Sequence, residues 1–88
     1  MDFRWNEWNA EHLEQHGIEP EAAEHVVEEP TAPYPRHIGE EKLLVWGPDS
    51  AGGPLQVIFV LDEDGSAYIL HARPLTQREE GRYRRQRR

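Results

Sequence analysis

The sequence predicts an α+β domain: a short amino-terminal strand, a helical hairpin, an antiparallel sheet of three or four strands, and a carboxy-terminal helix. Three observations predict it. Two windows before residue 30 carry apolar residues at helical spacing. Strand-length apolar segments separated by turn residues fill 42–72. A helix-capping pattern then opens the last segment. Helices and strands that cluster rather than alternate indicate α+β rather than a parallel α/β sheet.

Phe3-Arg4-Trp5 alternates apolar and polar residues, the pattern of a short strand. Asn6 is a good helix cap, and Trp8, His12 and Leu13 fall near one face of the helix it opens, which ends at Gly17. Pro20 suits the first turn of a second helix, with Glu21 near its positive end. Ala22, Ala23, Val26 and Val27 supply its apolar stripe, and it stops before Pro30. Pro30 to Pro35 is a stiff, extended connector. Strands follow at Lys42–Gly47, Leu55–Leu61 and Ser66–Ala72, joined by turns at Asp49–Pro54 and Asp62–Gly65, which makes a meander. Thr76 with Glu79 three residues later forms a capping box for the last helix, in which Gly81 is a weak point.

The 88 residues support a single domain over 1–88. Apolar content is only 36%, so the core is thin and stability is modest. The absence of Cys excludes disulfide scaffolds, thiolate metal sites and cysteine nucleophiles. The longest apolar run, Val57–Leu61, is far too short for a membrane span. With no signal-peptide pattern at Met1–Trp5, the expected compartment is the cytoplasm, without membrane contact. The net charge of −7 hides a division. Residues 1–72 hold 15 acidic and 3 basic side chains, whereas 73–88 hold 7 Arg and 2 Glu. Such asymmetry fits a basic element that docks on an acidic partner or reaches nucleic acid; a solvated, frayed tail, with Arg84, Arg87 and Arg88 mobile, is the plain alternative. The three Trp residues are read mainly as core, with base stacking as the alternative.

Trp5-Asn6-Glu7, His16-Gly17-Ile18 and Glu21-Ala22-Ala23, with Ala72-Arg73-Pro74, Arg78-Glu79 and Tyr83 at the other end, resemble the signatures of BrnT-type toxins. The resemblance spans nearly the whole chain in the same element order. Asn6, Gln15 and His71 stand where that family usually has Asp, Lys and Ser, and the first helix is one residue short, which marks a divergent branch. The resemblance implies a RelE-like fold and a toxin of a type II toxin–antitoxin system that cleaves RNA as an endoribonuclease without a cofactor. It also implies a cognate antitoxin with a ribbon-helix-helix domain as partner. The departures keep a second expectation open, a non-catalytic toxin-like module that pairs with a partner protein. A homodimer paired through an edge strand or the helical hairpin is a third.

RNA cleavage without metal needs a base for the 2′-OH, a cation for the charge on phosphorus and an acid for the leaving oxygen. The catalytic candidates are Arg73, His71, His12, His16, Glu79 and Tyr83. Arg73 follows a strand and precedes a proline, and its planar fork suits phosphate; the alternative is an ion pair pinning the last helix to the sheet. His71 falls on the same side of the strand as Arg73. His12 and His16 share a helix face, but no third ligand accompanies them and no metal site is expected. His16 also suits a helix end, where a cation is favoured. Arg78, Arg82 and Arg85 form one stripe on the last helix, which suits an RNA backbone or equally the acidic surface of an antitoxin; a solvated face with local pairing to Glu79 and Glu80 is the plain alternative.

Overall fold

Asn6 caps the first helix just after the first strand ends at Arg4. The computed structural model describes residues 1–87. Its elements are β1 (Phe3–Arg4), α1 (Glu7–Gln15), α2 (Pro20–Glu28), β2 (Arg36–His37), β3 (Lys42–Pro48), β4 (Pro54–Leu61), β5 (Ala67–Pro74) and α3 (Gln77–Gln86). The α+β plan and the hairpin-meander-helix order are as expected. The sheet has five strands in the order β1-β5-β4-β3-β2. β3, β4 and β5 are antiparallel neighbours, whereas β1 lies parallel to β5. The extra strand, β2, is two residues beside β3 at the end of the proline-rich connector, too short to carry an alternation pattern.

The cap of α1 is a reciprocal pair. The Asn9 backbone N–H donates to Asn6 Oδ1 at 3.1 Å, and the Asn6 N–H donates to Asn9 Oδ1 at 2.8 Å. Asn9 Nδ2 also donates to the Arg4 carbonyl at 3.1 Å, although Asn9 is fully buried. Its amide therefore ties β1 to α1. Asn9→Ala takes these part-buried partners from the Arg4 carbonyl and the Asn6 N–H, at a cost of about 1–2 kcal/mol. The shift of the urea midpoint at unchanged slope measures it.

The pleat sorts the sheet into two faces. Val45, Val57 and Ala72 lie in one cross-strand row, and Leu43, Phe59 and Ile69 in the next on the same side. α2 covers this side, with Val26 against Gly47; a β-carbon at Gly47 would meet the Val26 side chain at 3.5 Å. Leu13 of α1 and Ala23 of α2 complete this core. On the other side, Trp46, Gln56 and Arg73 form one row, followed by Leu44, Ile58 and His71 and then by Lys42, Val60 and Tyr68.

A bulge makes that second face. Between Ile58 and Phe59 of β4 the register of β5 shifts, because Ile58 faces His71 while Phe59 faces Ile69. Leu70 is the extra residue. Inward positions therefore run 67, 69 and 72, all buried, instead of 67, 69 and 71. The shift turns His71 and Arg73 to the outer face. They still share one side, as alternation predicts.

α3 packs over the Trp46 row. Trp46 sits between Tyr34 and Tyr83, at ring distances of 6.0 and 6.5 Å, and donates from Nε1 to Gln56 Oε1 at 3.0 Å. Trp46 is thus core, as expected. Trp5 is half-buried and donates to Glu24 Oε2 at 2.7 Å. Trp8 departs from the core expectation: it is 52% exposed. On a helix whose buried residues are Asn9 and Leu13, position 8 falls outside the inward stripe.

Candidate active site

α1 runs alongside β5, and their histidines meet. The His16 and His71 rings lie edge to face with centroids 5.5 Å apart. His16 is the C-cap of α1, where Gly17 in the left-handed region (φ +68°) stops the helix and holds the imidazole at its end. His71 is held by the bulge. Partial burial pushes its pKa below the ordinary 6.5, and the positive charges of Arg73, His16 and His12 push the same way. His71 is therefore an unprotonated imidazole at pH 7, able to accept a proton. His12 lies one turn before His16 and stacks on Trp8 at 4.5 Å. Among the described residues, no group of three or more His, Cys, Asp or Glu is placed to hold a metal ion.

Arg73 and Glu79 are brought together, but with each other. Arg73 Nη1 donates to Glu79 Oε1 at 2.7 Å and Nη2 to Oε2 at 2.9 Å. Arg73 Nη1 also donates to the Pro74 carbonyl at 3.0 Å. Glu79 Oε1 accepts the Thr76 N–H at 2.8 Å as well, the expected capping box. The hydrogen bonds from Arg73 hold the Glu79 pKa down at about 2. Glu79 thus carries no proton to donate near neutrality. The geometry matches the ion-pair alternative for Arg73: its fork clamps α3 to β5. What it adds to the histidine pair is positive charge.

Tyr83 lies elsewhere. It is buried against Trp46, and its hydroxyl accepts from Arg87 Nη1 at 2.7 Å. It is a packing residue of α3, separate from the histidine pair. Arg78, Arg82 and Arg85 are exposed along α3, with Arg82 5.7 Å over the Trp46 ring. The expected frayed end is helical through Gln86, whose Oε1 accepts from the Tyr34 hydroxyl at 2.7 Å. Arg84 and Arg87 line a shallow cavity with Tyr83. Arg88 lies outside the described residues.

Two groups escaped the sequence reading. Arg4 stands 4.0 Å over the Tyr68 ring and forms a two-pronged bond with Asp62, at 2.8 and 3.1 Å. Tyr68 in turn lies beside Trp8. Nothing in the linear pattern links residues 4, 8 and 68; only the parallel pairing of β1 with β5 does. Comparison with protein-family models, with curated proteins and with solved structures returned no match. No described helix is long and apolar enough to cross a membrane.

Proposed function

We propose that this protein is a metal-independent endoribonuclease, the toxin of a type II toxin–antitoxin pair. The observation that carries the reading is the His16–His71 pair, with rings 5.5 Å apart and the His71 pKa pushed down by burial and neighbouring charge. In this reading His71 takes the proton of the 2′-OH, and His16 supplies one to the leaving 5′-oxygen. Arg73, even while paired, adds positive charge beside the phosphorus, and the arginines of α3 carry the flanking backbone. His12 supports the pair electrostatically. The end signatures supply the toxin assignment and the expected partner, an antitoxin with a ribbon-helix-helix domain acting in the cytoplasm.

Incubation of the purified protein with single-stranded RNA in chelator tests the reading. The expected products end in 2′,3′-cyclic phosphate, and intact RNA after long incubation at high enzyme concentration refutes it. Three phosphate contacts from Arg78, Arg82 and Arg85 give a salt slope of about −2, so affinity falls roughly 20-fold between 50 and 200 mM salt. Reversing all three charges flattens that slope.

The occupied fork of Arg73 favours one other reading, a toxin-like module that binds a partner without cleaving RNA. A tight complex with the product of the neighbouring gene, formed by a protein inactive on RNA, selects it.

A further inference from the structure

Trp8 is the most exposed of the three Trp residues, and it is not alone. One of its neighbours is His12, one turn along α1, at 4.5 Å and 28° between planes. Another is Tyr68 of β5, at 6.5 Å and 26°. The Tyr68 hydroxyl donates to Asn6 Oδ1 at 3.1 Å, and Arg4 lies over its ring at 4.0 Å. The Tyr68 ring is thus held on two sides before any ligand arrives. An exposed Trp ring, backed by two half-buried rings tilted less than 30° from it, is a surface for stacking another planar ring.

The platform is in line with the histidine pair. Trp8, His12 and His16 recur every four residues on α1, while Tyr68 and His71 lie on the same outer face of β5. Trp8 meets Tyr68, and His16 meets His71, so the two elements advance together. Trp8 and His16 are separated by about 12 Å along the helix axis. A single strand whose phosphate sits at the histidines therefore brings a nearby base to Trp8. Glu7 and Glu14 lie about a quarter turn or more around the helix from this stripe, and Glu11 borders it. That acidic border disfavours a long backbone track here and leaves stacking as the attraction.

We infer that Trp8, backed by His12 and Tyr68, is a subsite that stacks one nucleobase of single-stranded RNA beside the cleaved phosphate. The inference rests on the ribonuclease reading for its ligand, but it concerns binding and stands apart from the chemical step. The residue acts through KM, with little effect on kcat.

Binding of a short, fluorescently labelled single-stranded oligoribonucleotide tests it, with wild type, Trp8→Ala, Trp8→Phe and His71→Ala compared at fixed salt. Trp8→Ala is expected to weaken binding by roughly 5- to 100-fold, and Trp8→Phe to restore most of it. RNA quenches the tryptophan fluorescence of wild type and leaves that of Trp8→Phe nearly unchanged. His71→Ala binds as wild type does and fails to cleave. Equal affinity of wild type and Trp8→Ala overturns the subsite while leaving the nuclease in place, and it does so equally where Trp8→Ala loses a protein partner instead. RNA bound through Trp8 but never cleaved keeps the subsite and removes the nuclease. No RNA binding by any form overturns both. Trp8 is exposed, so thermal melting of the alanine variant close to wild type serves as the folding control.

Discussion

His71→Ala is expected to lower the rate of RNA cleavage by about 10²–10⁴-fold with RNA affinity nearly intact, the usual loss when a positioned base is removed. His71 has the geometry and the charge state for this. It faces His16 at 5.5 Å and sits on a half-buried rim whose low polarity and neighbouring positive charge keep its proton off. The pH profile follows from that direction. Protonated His71 is inactive as a base, so activity falls as pH drops through a pKa below 6.5. His16→Ala is expected to slow cleavage as well, through loss of the proton donor to the leaving oxygen. Initial rates between pH 4.5 and 8.5 for wild type and both variants measure this. A His71→Ala enzyme as fast as wild type removes His71 from the chemistry.

The second large effect is on stability. Arg73→Ala is expected to cost roughly 2 kcal/mol and to lower the melting temperature by roughly 8–16 °C. The reason is geometric: both prongs of the guanidinium go to Glu79, and both side chains are mostly covered, with 26% and 20% of their surface exposed. Removing the arginine leaves a carboxylate unpaired at the start of α3. Glu79→Ala breaks the same clamp and removes the side-chain half of the capping box with it, so the double variant is little worse than Glu79→Ala alone. The clamp also sets an acid limit. Glu79 has a folded pKa of about 2 against an ordinary 4.5, so the folded state binds its proton less readily than the unfolded state. Its contribution is complete above about pH 4.5 and is lost as pH falls through 2. Urea midpoints against pH for wild type and Glu79→Gln read this directly. If Arg73→Ala melts like wild type yet loses cleavage, the arginine serves phosphate rather than the helix.

The capping signals were legible because they are local. Asn6 and Thr76 each reach a backbone N–H three residues away, and no other part of the chain bears on that bond. The turns at Gly52 and Gly65, both at positive φ, were legible for the same reason. The role of Arg73 was half legible. Strand position and the following proline place it correctly, yet phosphate and carboxylate suit a guanidinium fork equally, and only packing puts Glu79 within 2.7 Å. Trp8 misled because a helical stripe can be assigned to more than one face until the core it faces is known.

By itself the sequence determined the element order, the caps and turns, the basic last helix, and the placement of His71 and Arg73 on one side of a strand. These depend on spacings of a few residues and on intrinsic backbone preferences. The tertiary structure alone decided that His16 meets His71, that Trp8 joins Tyr68, and that Tyr83 is spent on packing. It also decided where β5 changes phase. A bulge at Leu70 is chosen by pairing with β4, and its effect is to reverse the facing of every later residue in the strand. Contacts between residues this far apart in the chain follow from how elements dock, and docking is selected by the burial of the whole core rather than by any local pattern.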